Sequence, residues 1–343
     1  MGRISAALRI GGLSAIVIFS LAQFGQAQGY FIRDLGTLGG ANPFSEAFCI
    51  NAFGQVGGIT SSNVQNVNPA FLYSGGKMIS LGTLGGNDAE AKGISTNGDL
   101  TGFSEVNDAY AAFLYSNGIM SNIGTLGGRG AAGSGMSASG IITGDSFTSN
   151  NEDHAFIYRN GQMTDLGTLG RAPSYGQGVN DSAQVVGYSL TPGGVYHAFL
   201  WSNGNMHDLG TLGGDLSVAS AINESGVITG QAYTAQDVEE HAFIYANGVM
   251  TDIGTLAGPY SMGEAINDLG VVVGRSTYQP NGGDYHAFVY RGGKMQDLNK
   301  LIISTGLGWV LQEATGVNDV GQIVGFGTLH GQTHAFLAIK IGP

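Results

Sequence analysis

Charged residues are scarce in this sequence, and basic residues are the scarcest. Of 343 residues, 13 are Lys or Arg and 25 are Asp or Glu, so the formal net charge is −12. A surface this acidic repels the phosphates of nucleic acids and the headgroups of anionic lipids. The composition therefore excludes nucleic acid from the partner classes that we consider.

Cysteine is almost absent as well. Cys49 is the only one, so the chain cannot form an internal disulfide, and its stability has to come from burial and strand pairing. Small residues occupy the equivalent positions of the repeats described below, namely Gly93, Gly135, Gly178, Ala221, Ala265 and Gly316. We therefore interpret Cys49 as a small buried side chain and not as a reactive thiol.

Long apolar runs are missing except at the N-terminus. Arg3 and Arg9 supply positive charge before an apolar run over residues 10–21, and residues 25–27 form a small-x-small cleavage site. This arrangement predicts a secretory signal peptide over residues 1–27, with cleavage after Ala27. An uncleaved anchor is the alternative, although the run is short for a membrane span. The mature chain would carry a formal charge of −14, and we expect it to be secreted, cell-surface or periplasmic, without insertion into a membrane.

Glycine, by contrast, is abundant, with 60 residues, and it recurs at regular positions. A segment close to Asp-Leu-Gly-Thr-Leu-Gly returns about every 43 residues. Its copies lie at 34–39, 81–86, 123–128, 165–170, 208–213 and 252–258, with a degraded copy at 297–301. Self-similarity at this period is the signature of a repeat architecture, in which each repeat forms one supersecondary unit.

Each repeat predicts four short β-strands. In one representative copy, candidate strands lie at 217–223, 227–230, 241–245 and 249–256. Asn223 opens the first turn between them, and Asn247-Gly248 is a pair that favours the tight turn of a β-hairpin. No segment has the sustained period of an amphipathic helix, so the sequence predicts an all-β fold.

The two ends of the repeat array complement each other. The mature chain opens with a lone fourth strand at 30–38 and ends with a third strand at 334–340 that has no fourth strand after it. Pairing of these strands would close a seven-bladed β-propeller of four-stranded repeats, whereas a solenoid, the alternative, would leave both unpaired. We predict a single propeller domain over residues 28–343, whose atypical last repeat has an insertion at 299–313. Either the small-residue first strand or the third strand could lie innermost.

The recurring segments resemble those of the HAF-repeat family of extracellular bacterial repeat proteins. The shared elements are His-Ala-Phe followed by Leu or Ile and then Tyr or Trp, Asp-Leu-Gly-Thr-Leu-Gly-Gly, Ile or Val before Asn-x-x-Gly, and Val-Val-Gly. They cover residues 30–340, and the last repeat resembles the family's closing unit at 297–299, 308–309 and 317–325. The resemblance implies export and a repeat fold, and it implies no activity.

Histidine and aspartate occur together in five repeats. Each His stands at the head of a third strand with an Asp eleven residues later, and the last His would meet the first Asp through ring closure. The pairs are His154 and Asp165, His197 and Asp208, His241 and Asp252, His286 and Asp297, and His334 and Asp34. The two repeats without His have Ser80 and Asn122 in place of Asp. We interpret the pairs as repeated structural hydrogen bonds, because five equivalent copies are more than one active site needs. A metal ring or a catalytic dyad is the alternative.

Acidic residues concentrate in the links between second and third strands. They are Glu105, Asp108, Glu152, Asp153, Asp237, Glu239, Glu240 and Asp284. Variable loops on a rigid scaffold commonly bind ligands, so this rim is a candidate binding surface, although a solvated acidic rim explains the pattern too. The spacing matches no known calcium loop, which leaves only weak Ca²⁺ binding open. We predict no other cofactor.

The sequence favours a non-catalytic, monomeric module that binds an extracellular polymer, peptide or surface component. A polysaccharide hydrolase or lyase on a propeller scaffold is the alternative, and it requires two carboxylates that converge on one bond. Carboxylates expected near the axis are Glu90, Glu264 and Glu313 on the first strands, with Asp181, Glu224, Asp268 and Asp319 in the turns. Because they are spread over different repeats, we predict no catalytic residues.

Overall fold

The computed structural model of the protein describes residues 29–107, 109–303 and 308–341. The predicted signal peptide and Asp108 lie outside these ranges. Within them, the chain forms seven four-stranded antiparallel sheets. No helix of the described residues is long and apolar enough to cross a bilayer.

Six of the sheets, which we call blades 1 to 6, each consist of four consecutive strands. Blade 1 contains β2 (Ser45–Ile50), β3 (Val56–Thr60), β4 (Ala70–Ser74) and β5 (Lys77–Gly82). Blade 2 contains β6 (Ala89–Ile94), β7 (Leu100–Val106), β8 (Ala109–Ser116) and β9 (Ile119–Asn122). Blade 3 contains β10 (Gly127–Met136), β11 (Ile142–Thr148), β12 (Asp153–Arg159) and β13 (Gln162–Asp165). Blade 4 contains β14 (Arg171–Val179), β15 (Val185–Leu190), β16 (Tyr196–Ser202) and β17 (Asn205–Asp208). Blade 5 contains β18 (Gly213–Ile222), β19 (Ile228–Thr234), β20 (Glu240–Ala246) and β21 (Val249–Asp252). Blade 6 contains β22 (Ser261–Ile266), β23 (Val272–Thr277), β24 (Tyr285–Arg291) and β25 (Lys294–Asp297). Short 3-10 turns occur at Ala235–Asp237 and Leu298–Leu301.

The seventh sheet joins the two ends of the chain. Blade 7 contains β26 (Trp309–Val317), β27 (Ile323–Leu329), β28 (Gln332–Ile341) and, as its outer strand, β1 (Gly29–Asp34). β1 runs antiparallel to β28, with Gly29 opposite Ile341 and Asp34 opposite Phe336. The fold is therefore a seven-bladed β-propeller, and the predicted closure by N- and C-terminal strands is confirmed.

The small-residue strand of each repeat lies innermost. The first strands β2, β6, β10, β14, β18, β22 and β26 contact one another in sequence around the ring, and β26 contacts β2. They surround the axis because Gly, Ala and Ser allow seven strands to approach closely. The structure thereby decides between the two arrangements that the sequence left open.

Several strand boundaries differ from those expected, and β1, for example, ends at Asp34 and not at residue 38. The fourth strand of blade 5 ends at Asp252 and not at residue 256, because Gly254 has a φ of 74°, which ends the extended backbone. β26 begins at Trp309, so residues 309–313 of the predicted insertion belong to the inner strand of blade 7.

A glycine opposite a phenylalanine recurs in every blade. The cross-strand pairs are Gly58–Phe71, Gly102–Phe113, Gly144–Phe156, Gly187–Phe199, Gly230–Phe243, Gly274–Phe288 and Gly325–Phe336. All seven Phe side chains are fully buried. A Cβ atom on Gly230 would collide with the carbonyl oxygen of Val218 on the inner strand. The Val-Val-Gly and His-Ala-Phe segments are therefore two halves of one packing unit.

We call the face with the second-to-third-strand links and the crossovers between blades the top face; the face with the Asn-x-x-Gly turns is the bottom. At the bottom, Asn side chains join neighbouring blades: the amide of Asn223 donates to the carbonyl oxygen of Asn267 at 3.1 Å, and Asn267 donates to Asn318 at 3.0 Å. Asn318 completes the sequence by donating to the carbonyl oxygen of Asn51, also at 3.0 Å. These bonds support ring closure independently of β1.

Candidate functional site

The structure brings each of the five His residues next to its Asp. The His Nδ1 atom lies 2.7–3.0 Å from the nearest carboxylate oxygen in the pairs His154–Asp165, His197–Asp208, His241–Asp252, His286–Asp297 and His334–Asp34. Asp165 pairs across the strands with Phe156, so His154 lies diagonally from it on the same face. The hydrogen bond to Asp252 raises the pKa of His241 against the opposing effect of burial.

Each Asp also supports the turn that follows it. Asp208 accepts a hydrogen bond from the backbone N–H of Gly210 at 2.7 Å. The repeats without His keep this second bond, since Ser80 accepts from Gly82 and Asn122 accepts from Gly124. The turn bond is thus common to all these blades, and the His contact is an addition in five of them.

A serine of the next blade completes this junction. Ser217 accepts a hydrogen bond from the N–H of Ala198 at 2.8 Å and donates to the carbonyl oxygen of Gly210 at 2.6 Å. Ser45, Ser174 and Ser261 make the same two bonds after blades 7, 3 and 5. Although Ser, His and Asp meet here, the hydroxyl is buried and bonded to backbone groups, so the arrangement serves to join blades and offers no nucleophile.

We predict that the His–Asp contact and the turn bond contribute separately to stability. Asp208→Ala should cost more than His197→Ala, because it also leaves the N–H of Gly210 without its acceptor, and the double mutant should show a coupling of roughly 0.5–1 kcal/mol. Asn122→Ala in blade 2 is the matched control, since it removes a turn bond where no His exists. Urea denaturation gives the unfolding free energy of all four variants. If the double mutant loses the sum of the two single losses, the contact between His197 and Asp208 does not contribute to stability.

The predicted acidic rim lies on the top face but does not converge on one point. Glu105 accepts from the N–H of Asn87, Asp237 accepts from the N–H of Asp215, and Glu239 lies 3.3 Å from Nε2 of His241. Glu152 and Asp284 are exposed, while Glu240 and Asp153 are partly buried. No three His, Cys, Asp or Glu side chains of the described residues are grouped so that they could hold a metal ion. The described rim residues therefore form no metal site of this kind.

The central channel contains a cavity with a volume of about 570 Å³. Every inner strand has a β-bulge at the same place, so that one residue per blade has no partner on the second strand. All seven bulged residues line this cavity, and we call them the bulge ring: Phe48, Lys92, Ser134, Gln177, Ser220, Glu264 and Thr315. A bulge re-aims a side chain and is common beside functional sites. The positions on either side of each bulge carry small residues in every blade, whereas the residues of the bulge ring differ from blade to blade.

Charges cluster on one side of the channel, towards the top face. The Arg275 guanidinium of blade 6 lies 2.6 Å from Glu313 of blade 7 and 4.0 Å from Glu264. In the neighbouring blades, Lys92 lies 2.6 Å from Glu90 and 3.5 Å from the centre of the Phe48 ring. Together with Glu46, four carboxylates therefore face two cations.

This excess of carboxylates perturbs their ionisation. Burial and the charge of Glu313 raise the pKa of Glu264 to about 7, although a quarter of its side chain remains exposed to the channel. Burial also raises the pKa of Glu313, against the effect of Arg275. For Glu46, burial and the neighbouring Glu90 raise the pKa. At neutral pH the site can thus exchange a proton, which is common at functional sites.

The repeat itself shows that the scaffold does not require these charges. At the position of Glu264, other blades have Ser134, Ser220 or Thr315 in the same bulge. At the position of Glu313, they have Ala132 and Val218. Because seven blades fold alike with such different residues, construction of the ring does not explain the channel charges.

Sequence reasoning identified part of this site. It placed Glu90, Glu264 and Glu313 near the axis but treated them as scattered, and ring geometry brings Glu264 and Glu313 to one guanidinium. It missed Lys92 and Arg275. These two could have been found because they differ from the residues at the equivalent positions of the other repeats. The turn carboxylates Asp181, Glu224, Asp268 and Asp319 instead accept backbone hydrogen bonds from the neighbouring blade at the bottom face.

Comparison with known proteins supports the fold. No model of a known family matches the sequence, and no curated protein is similar to it in sequence. The propeller domain of the trilobed protease from Pyrococcus furiosus, described as having an open velcro topology, matches with a TM-score of 0.57 and 11% identity, over 92% of this chain and 98% of that one. TolB from Acinetobacter baumannii matches with a TM-score of 0.50 and 13% identity, over 71% of this chain and 63% of that one. A puromycin-hydrolyzing peptidase from Mycobacterium tuberculosis matches with a TM-score of 0.53 and 10% identity, over 86% of this chain and 53% of that one. At such low identity these similarities indicate a common propeller fold and no common activity.

Proposed function

We propose that this protein is an exported, non-catalytic binding module that holds its ligand at the top end of the central channel. The bulge ring carries this proposal, because it presents seven side chains of varied chemistry to one cavity while the flanking positions repeat. Phe48 offers an aromatic surface, Lys92 and Glu264 offer charges, and Gln177 offers an amide. A few polar groups in a concave site are what ligand recognition requires.

The ligand class favoured by this lining is an extracellular polymer or peptide with hydroxyl and amide groups. Export follows from the signal-peptide pattern of residues 1–27, and the product would be periplasmic, secreted or surface-bound. Membership of the HAF-repeat family is part of the same proposal and rests on the sequence segments alone.

Array binding tests the location of the site. The chain from residue 28 onward should bind a subset of glycans or peptides on an array, and Glu264→Ser should weaken those signals at least ten-fold. Asp284→Asn, a matched loss of one carboxylate on the rim, should leave them unchanged. Loss of binding with Asp284→Asn alone would move the site to the rim, and absence of any specific signal would count against a binding module.

One observation favours a second candidate function, a polysaccharide hydrolase or lyase. Glu264 and Glu313 flank one guanidinium, and the raised pKa of Glu264 would let it donate a proton near neutral pH, as a general acid does. Turnover of the polysaccharides found on the array separates the two candidates. Release of reducing ends or unsaturated products that Glu264→Gln abolishes would establish the enzyme, and binding without product would establish the module.

We also predict a pH-dependent effect of Glu264 on stability. Because its folded-state pKa of about 7 exceeds the ordinary value of 4.5, its contribution to stability is full below pH 4.5 and is lost as the pH rises through 7. Glu264→Gln is neutral at every pH. Between about pH 5 and pH 8 its free energy of unfolding should therefore rise relative to that of wild type, by up to roughly 2 kcal/mol. Denaturation series at several pH values measure this, and a constant difference would contradict it.

A further inference from the structure

Carboxylates outnumber cations around the upper part of the channel, and both cations are engaged. Arg275 donates to a Glu313 oxygen at 2.6 Å, and the Lys92 ammonium lies 2.6 Å from Glu90. An anionic ligand would therefore find no free cation among these groups, and it would add to the excess of negative charge. A cationic group of a ligand would balance that excess.

Glu264 accepts no hydrogen bond from the described residues. It lines the channel cavity from the bulge of blade 6, where 25% of its side chain is exposed. Nε of Arg275 is 4.0 Å away, since this guanidinium donates to Glu313 and to the Sδ atom of Met262. A mostly buried acceptor of this kind is costly unless a donor reaches it. Glu264 therefore points to a ligand that brings a donor into the channel.

The bulge ring already accommodates one ammonium group. That of Lys92 lies 3.5 Å from the centre of the Phe48 ring as well as beside Glu90. The negative face of an aromatic ring attracts a cation, and a neighbouring carboxylate adds to this attraction. The layer of the channel that contains Glu264 is therefore chemically suited to ammonium groups.

An apolar ring forms the floor of this cavity. It contains the residue two positions after each bulge, and we call it the collar: Ile50, Ile94, Met136, Val179, Ile222, Ile266 and Val317. Six of the seven line the channel cavity, and all seven line another cavity of about 230 Å³ at the bottom face, so the collar lies between the two. Its side chains also pack into the cores between blades, which makes the floor a fixed surface. A ligand that enters from the top meets this floor best with an apolar group, roughly 6–7 Å along a strand below the bulge ring.

We propose that the channel binds the free N-terminus of a peptide whose first residue is apolar, with the α-ammonium group at Glu264 and the first side chain on the collar. The inference rests on the proposed binding function and names the class of ligand that the channel takes. Gln177 of the bulge ring offers an amide to the first peptide group, and the rest of the peptide leaves through the top face. The ammonium group supplies the donor that Glu264 lacks and offsets the excess of carboxylates.

The order of the two layers sets the orientation of the ligand. A lysine side chain enters with its ammonium group first, so it would place a cation against the apolar collar. An acetylated N-terminus would bring no charge to Glu264, and a neutral sugar would bring neither the charge nor the apolar group. A primary alkylamine shares the ammonium group and the apolar stem, so the experiment has to separate it from a peptide.

The affinity for the peptide should pass through a maximum as the pH rises. Burial and the charge of Glu313 raise the pKa of Glu264 to about 7, and Arg275 and Lys92 are the cations that face it. Because a bound cation favours ionised Glu264, affinity should increase between about pH 6 and pH 7.5. At higher pH the α-ammonium group, with an ordinary pKa of about 7.7–8.0, loses its proton and affinity should fall. An alkylamine, whose pKa lies near the value of about 10.4 for Lys, should show the increase without this fall.

Titration calorimetry with peptide amides that differ in one group tests the proposal. We expect the amide of Leu-Gly-Gly to bind about ten-fold more tightly, or more, than its Nα-acetylated form, which lacks only the charge. The amide of Gly-Gly-Gly keeps the ammonium group but not the apolar side chain, and it should bind more weakly than the amide of Leu-Gly-Gly. Glu264→Gln, which keeps the shape of the side chain, should abolish the preference for the free N-terminus, whereas Asp284→Asn on the rim should leave it unchanged.

Equal affinity for the free and acetylated peptides, binding of neither, or a full preference in Glu264→Gln would overturn the inference. Weaker binding of the amide of Leu-Gly-Gly than of n-pentylamine would overturn the assignment to a peptide. Array signals from glycans or from peptides with blocked N-termini that depend on Glu264 would survive either result. Failure of the N-terminus inference and failure of the binding module are therefore distinguishable.

Discussion

Removal of residues 29–36 should prevent the protein from folding. These residues supply β1, the outer strand of blade 7, and their loss would expose the whole edge of β28 together with the buried face on which Tyr30 and Ile32 pack. Complete burial of such side chains is worth about 1.5–3 kcal/mol each. Because most domains are stable by only about 5–15 kcal/mol, the combined loss should leave little folded protein. Circular dichroism and thermal unfolding of chains starting at residue 28 and at residue 37 make the comparison.

A circular permutant separates the role of the strand from the role of its position. Gly29 lies opposite Ile341, so a short linker can join the two ends, and new ends can be made in the hairpin at Asn117-Gly118 of blade 2. That permutant keeps every strand and closes blade 2 by strand pairing instead. We expect it to fold with a similar midpoint of thermal unfolding. Cooperative folding of the chain that lacks residues 29–36 would contradict the importance of terminal closure.

Phe243→Ala should destabilise the folded protein by about 3–5 kcal/mol, the usual cost of removing a buried aromatic side chain. Phe243 is fully buried and lies over Gly230, whose lack of a side chain makes room for the ring. Refilling the space from the glycine side is excluded, since a Cβ atom on Gly230 would meet the carbonyl oxygen of Val218. The cavity therefore cannot be repaired by a larger residue at position 230.

Val249→Ala in the same blade is the control. Its side chain is 60% exposed in the hairpin between β20 and β21, and its loss should change stability by no more than roughly 0.5 kcal/mol. Guanidinium denaturation gives both values. A cost for Phe243→Ala that is no larger than that for Val249→Ala would mean that the recurring Gly–Phe pair does not hold the blades together.

The architecture was predictable because it is repeated seven times. Each copy of His-Ala-Phe and Val-Val-Gly has the same strand pattern. Where the pattern of one repeat is ambiguous, the equivalent segments of the other repeats therefore identify the strand. The lone strands at 30–38 and 334–340 could be paired by complementarity alone. Strand ends were less accessible, since they depend on single backbone conformations such as that of Gly254.

Only part of the channel site could be predicted from the sequence, because its residues are not repeated from blade to blade. Lys92, Glu264 and Arg275 occur once each, so no repetition marks them, and their proximity depends on how neighbouring blades are rotated about the axis. Glu264 and Glu313 were recognised as candidates near the axis, but the guanidinium that joins them comes from a second strand. The bulge that turns position 264 into the channel leaves no trace in the sequence pattern beyond the small residues Gly263 and Ala265 beside it.

The central claim is that the repeated positions build the ring and the bulge ring serves the ligand. Its most direct test is the equilibrium unfolding free energy of Lys92→Ser/Glu264→Ser, which places in blades 2 and 6 the residue that blades 3 and 5 already carry, compared with Gly93→Ser beside it. Any side chain at Gly93 would approach the backbone N of Met136 to 2.5 Å. We expect the double variant to lose no more than roughly 1 kcal/mol of unfolding free energy, while Gly93→Ser loses about 1–3 kcal/mol or more. A double variant as destabilised as Gly93→Ser would contradict this division of roles, because it would show that the bulge ring holds the fold together.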